Sequence, residues 1–172
     1  MAECFFQARC KTVSANNPLL QSYDLPPFSA IRAEHVKPAI EQILADNRAA
    51  IADILAKQGS TPTWAGLVLT MDELNNRLGA AWSPVSHLNA VCNIPELREA
   101  YESCLPALSA YSTEMGQNRA LFQAYEALAN GPEAASFDVG QKTILEQSLR
   151  DFRLSGIDLP PEQQKRLCAS AE

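Results

Sequence analysis

Thr63 to Asn89 reads TWAGLVLTMDELNNRLGAAWSPVSHLN, and its apolar spacing decides the fold. The apolar residues are Trp64, Leu67, Met71, Leu74, Leu78, Ala81, Val85 and Leu88. Their separations alternate between three and four, the spacing of one seam on a long helix packed against another helix. At about 1.5 Å per residue, a helix over Trp64–Asn89 would be roughly 40 Å long. Thr63 is suited to cap it, because its hydroxyl can accept from the unpaired amides of the first turn.

A second seam answers the first. Leu97, Tyr101, Cys104, Leu108, Tyr111 and Met115 alternate in the same way. Val91-Cys92-Asn93-Ile94-Pro95 separates the two seams, and so short a connection predicts an antiparallel helical hairpin. Asn93 is the expected cap. Pro95 falls early in the second helix, where its missing N–H costs nothing. Pro84 and Pro106 lie inside the arms. They withdraw the donors for the carbonyls of Ala80 and Glu102, so each arm is expected to kink and the hairpin to bow.

The flanking segments are helical too. Val36, Ile40, Ile43, Leu44, Ile51, Ile54 and Leu55 give one face of a helix ending near Gln58. Asn47 interrupts that face, and Pro38 leaves the start between Ala33 and Lys37. Leu121, Phe122, Tyr125 and Leu128 predict a short helix stopped by Asn130-Gly131-Pro132. Asp138 can cap a helix over Val139–Ser155 whose apolar residues are Val139, Ile144, Leu145, Leu149 and Phe152, with Gly156 at its end. Leu159-Pro160-Pro161-Glu162 opens a last helix. Asn17 to Ser29 is rich in proline and is expected to be extended, anchored by Leu19, Leu20, Leu25 and Phe28. No segment alternates with period two. The predicted fold is all-α, a helical lobe around a long antiparallel helix hairpin with shorter flanking helices.

The totals exclude several functions. The 172 residues suffice for one core-forming domain. A net charge of −6 without a Lys/Arg cluster argues against nucleic acid. No apolar run reaches the roughly 18–20 residues that span a bilayer, so no membrane partner is expected. The five cysteines, Cys4, Cys10, Cys92, Cys104 and Cys168, are odd in number and form no CxxC, which fits the reducing cytoplasm. Residues 1–16 lack the apolar core of a signal peptide and are expected to be a disordered leader, an alternative start or a cloning scar.

Catalytic patterns are missing. There is no HExxH, no GxSxG and no glycine-rich phosphate loop. His35 and His87 are the two histidines. Glu34-His35 reads as a helix start complementing the helix dipole rather than an acid/base pair. His87 flanks the first seam beside Ser83 and Ser86. As a metal site with Cys92 it fails, because five residues apart the two share no helix face. Asp72/Glu73 and Glu96/Glu99 fall outside the seams, as solvated faces do.

Three strings carry a resemblance: NPLLQSYDLPPFSAIRAEHVKPAIEQIL, WSPVSHLNAVCNIPELREAYESCLPALSAYSTEMGQN and LRDFRLSGIDLP. From Asn17 to about Leu167 the chain resembles the N-terminal part of the thimet-oligopeptidase-like family of zinc metallopeptidases. The resemblance implies an almost wholly helical, two-lobed enzyme whose deep channel admits short peptides and excludes folded proteins. The family's HExxH, its third glutamate ligand and its substrate-orienting tyrosine and histidine lie far downstream and have no counterpart here, so catalytic and metal residues are none. Zinc is expected only in the full-length family. The expectation is therefore an N-terminal channel-wall lobe over residues 17–172, inactive alone, without the catalytic domain. Its partners would be that missing lobe and, in the full-length enzyme, short peptides. Ser83, Ser86 and His87 are the candidate wall residues. A severed wall should expose apolar surface and self-associate. The alternatives are a freestanding helical module that binds a peptide or protein without catalysis, and an independent hydrolase with an unrecognised site.

Overall fold

The computed structural model describes residues 16–59, 61–92, 94–160 and 162–164. All regular structure among them is helical. Five α-helices follow one another: α1 Ala33–Gln58, α2 Thr70–Cys92, α3 Pro95–Gly116, α4 Arg119–Ala129 and α5 Val139–Leu154. Three short 3-10 turns, Pro18–Leu20, Phe28–Ala30 and Pro132–Ser136, accompany them, and a π-helical turn, Trp64–Leu69, leads directly into α2. The all-α expectation holds.

Local chemistry sets the helix ends. Thr63 caps the π turn by accepting from the Gly66 amide at 3.1 Å. Asp138 and Gln141 form a reciprocal capping box at the start of α5. Gly59 at φ 54° and Gly156 at φ 85° follow the last turns of α1 and α5, where only glycine adopts the left-handed conformation without strain. At Gly156 the arrangement is a Schellman motif: the Ile157 amide donates to the Phe152 carbonyl and the Gly156 amide to that of Arg153. Both apolar partners of the motif, Phe152 and Ile157, are buried. Helix α2 runs three residues past the expected end at Asn89, because Ala90, Val91 and Cys92 contain no breaker. Pro95 is the first residue of α3, as expected. The anticipated Asn93 cap, the leader up to Ala15, Cys4, Cys10, Cys168 and most of the last helix lie outside the described residues.

The contacts divide the chain into two compact units. One comprises the residues up to Asn47 together with Leu74–Ala107; the other comprises Arg48–Glu73 and the residues from Leu108 on. In the first, Val36, Ile40, Ile43, Leu44, Ala81, Val85, Leu97 and Cys104 form the core. Trp82 of α2 stacks on Tyr101 of α3 with centroids 4.7 Å apart. The segment before α1 is a strap. Buried Asn17 holds it by donating to the His35 carbonyl at 2.7 Å while accepting from the Leu19 amide. Leu19 anchors the strap as expected, and Phe28, 41% exposed, packs its ring on His87, but Leu25 is 82% exposed. Leu25 stands just before the rigid Pro26-Pro27 pair, and the strap turns inward again only at Ile31.

In the second unit, Phe152 meets Phe122 and Tyr125 with centroids 5.7 Å away, and Leu121, Leu128, Leu145 and Ile157 are buried around them. Glu133 accepts from the Trp64 amide at 2.9 Å, and Phe137 packs on the Trp64 ring. Two expected core residues are outside: Val139 and Ile144 are exposed. Leu145, Leu149 and Phe152 share one face of α5, and at 100° per residue Val139 and Ile144 fall about 100° or more away from it.

Candidate functional site

The seam pattern leaves the α2 face bearing Ser83 and His87 free of the core. Pro84 lies between them and has no N–H for the Ala80 carbonyl, so one helical acceptor is exposed there. The strap supplies the missing donor: the Tyr23 hydroxyl donates to the Ala80 carbonyl. Burial pushes the Tyr23 phenol up from its ordinary value, which keeps it protonated as a donor. Five residues on, Phe28 packs a tilted ring against His87 at 5.5 Å. Between these anchors the prolines hold the strap stiff, and the Phe28 amide donates to the Pro26 carbonyl at 2.8 Å.

Strap and helix enclose an open groove of about 450 Å³ lined by Tyr23, Asp24, Pro26, Phe28, Ala80, Ser83, Pro84 and His87. Two sequence candidates, Ser83 and His87, are brought together there. Ser86 is half-buried and is not among the lining residues. Tyr23, Asp24 and Phe28 were missed by sequence reasoning. The signal that could have found Tyr23 is the carbonyl freed by Pro84, which is open to an outside donor.

The other candidates have structural employment or stand apart. The Nδ1 of His35 accepts from the Arg32 amide at 3.1 Å, so this histidine ties down the first turn of α1. Glu34 and Glu96 line a second, wider depression with Ile31, Arg32, Ala33, Ile94 and Leu97. Asp72 and Glu73 are exposed. Cys104 is buried and Cys92 exposed, and burial pushes the Cys104 thiol up, away from thiolate chemistry. The donor set of the described residues does not fit the zinc that the resemblance implies. Among the described residues no three His, Cys, Asp or Glu side chains converge, whereas a catalytic zinc takes three protein ligands. The groove lining offers a carboxylate, a hydroxyl and an imidazole beside apolar side chains, and among the described residues no base-activated nucleophile oriented by a third group stands there.

The domain family described as Neurolysin/Thimet oligopeptidase, N-terminal domain, matches residues 40–164. The chain is similar to oligopeptidase A of Haemophilus influenzae, 51% identical over 154 residues, which covers 90% of this chain and 22% of that protein. Its identity to oligopeptidase A of Escherichia coli is 49% over 150 residues, covering 87% and 22% of the two chains. The organellar oligopeptidase A of Arabidopsis thaliana is 31% identical over 151 residues, 88% of this chain and 19% of that one. The chain thus spans about a fifth of the length of these relatives.

Proposed function

Because this chain belongs to the Neurolysin/Thimet oligopeptidase N-terminal-domain family, we propose that it is the wall lobe of a zinc-dependent metallo-oligopeptidase acting on short peptides. The observation that carries the reading is the half-identity to oligopeptidase A along nearly the whole chain. In this reading the hydrolytic site belongs to another lobe, and the helices here restrict access. A metallopeptidase needs a zinc-activated water and a base, whereas a wall needs stiff helices and a shaped face. The strap-and-α2 groove, with Ser83 and His87 on it, is the part of the wall that meets peptide. A cytoplasmic location belongs to the same proposal, supported by the odd cysteine count; no described helix is long and apolar enough to cross a membrane.

A chimera tests this. Replacing the aligned segment of the Escherichia coli relative by this chain should preserve zinc-dependent cleavage of a quenched fluorescent oligopeptide. A folded chimera that binds zinc but cleaves nothing would overturn the proposal. The existence of a groove with polar groups also favours a second reading, a helical module that holds a peptide without catalysis. Peptide binding to the chain, combined with an inactive chimera, would select it.

A further inference from the structure

Resting on the wall reading above, we infer that the strap-and-α2 groove is a subsite for a basic side chain, arginine or lysine, of a bound peptide. Asp24 is the only charged residue with a fixed negative sign in the lining, and no lysine or arginine accompanies it. Its carboxylate has no ion-pair or hydrogen-bond partner among the described residues. The two anchors on either side, Tyr23 on the Ala80 carbonyl and Phe28 on the His87 ring, hold the backbone that carries it. Pro26 and Pro27 remove further freedom, so little entropy remains to be lost on binding.

The remaining walls suit the rest of such a side chain. Pro26, Phe28, Ala80 and Pro84 offer apolar surface for a methylene stem, while the charged head reaches the carboxylate. The Phe28 ring adds attraction for a cation near its face. The Ser83 hydroxyl accepts or donates one further hydrogen bond. An acidic side chain would meet Asp24 with like charge. A purely apolar one would cover an unpaired carboxylate and strip its water, which is unfavourable.

Acetylated, amidated pentapeptides Ala-Ala-Xaa-Ala-Ala, with arginine, citrulline or glutamate at the centre, carry charge only on the probe side chain. Titrated into the isotope-labelled chain, they are read by the backbone amide shifts of Ser83 and His87. The arginine peptide should bind about fivefold tighter than the citrulline peptide, the scale of one partly exposed ion pair with an aromatic neighbour. The glutamate peptide should be weakest. Asp24→Asn should erase the arginine preference, and Asp53→Asn, at a residue outside the groove lining, should leave it intact. Equal affinities for arginine and citrulline, or a preference that survives Asp24→Asn, would overturn the inference. If all three peptides shift the amides equally, the cation subsite fails while the wall reading stands. If none does, the cation subsite fails, and the wall reading is decided by the chimera.

Discussion

The Tyr23 hydroxyl donates to the carbonyl of Ala80, the acceptor that Pro84 leaves without its helical amide. A side chain 57 residues away thus completes the hydrogen bonding of α2 at the point where proline interrupts it. The relationship makes the bond and the proline thermodynamically linked. Tyr23→Phe should cost about 1 kcal/mol, the usual net contribution of one intramolecular hydrogen bond. In a Pro84→Ala background the helix regains its own donor, and the same change should cost less than half as much. Urea denaturation of the four proteins of this cycle measures the coupling; equal costs in both backgrounds would contradict it.

Gly116 sits against Ser155. A Cβ at position 116 would lie 2.6 Å from the Ser155 Oγ and 2.8 Å from its Cβ, so the end of α3 approaches the end of α5 too closely for alanine. Gly116→Ala should destabilise by about 1–3 kcal/mol, the usual cost of overpacking. Ser155→Gly in the same chain should recover most of that loss. Thermal unfolding of the single and double variants checks this, and a neutral Gly116→Ala would refute it.

Tyr125 sets an alkaline limit. Burial, with a smaller contribution from the Asp72 charge, raises its phenol from 10.0 to about 12. The unfolded chain loses this proton first as pH rises, so the folded state is favoured below pH 10 and loses that advantage between about pH 10 and pH 12. The expected loss across this window is on the order of 2 kcal/mol. Tyr125→Phe should flatten that part of the stability–pH curve, measured by urea unfolding at several alkaline pH values.

Asn47 is fully buried in the apolar face of α1. Its Nδ2 donates to the Leu74 carbonyl at 3.3 Å, and its Oδ1 has no partner among the described residues. Replacement by leucine trades one long hydrogen bond for apolar burial and should change stability by less than about 1 kcal/mol. Asn47→Asp places a charge at the same buried point and should cost several kcal/mol near neutral pH, less as acid protonates it. Urea unfolding at two pH values separates these outcomes.

Exposed apolar side chains give a reason for the chain to associate with itself. Val139 is 82% exposed and Leu154 70%, in the same helix α5. Sedimentation velocity should detect association at high concentration, and Val139→Ser with Leu154→Ser should reduce it. A clean monomer of the unaltered chain would remove the idea.

The sequence by itself determined which segments are helical and, apart from Val139 and Ile144 on α5, which faces they bury. Every residue of the two seams and of the α1 face is buried or half-buried, and the Thr63, Asp138 and Gly156 signals sit at real helix ends. These features are local: a three-and-four spacing, a cap or a left-handed glycine acts within one or two turns. Of the groove, Ser83 and His87 were legible because they flank Pro84 on a surface the seam leaves free. Phe28 was legible only as an apolar anchor, and Tyr23 and Asp24 were not, since the strap has no periodicity to show which side chains turn inward. The tertiary structure alone decided that Tyr23 satisfies Ala80, that Gly116 meets Ser155 and that Leu25 remains in water. Each depends on where a distant backbone stands, and neither spacing nor propensity along the chain carries that distance.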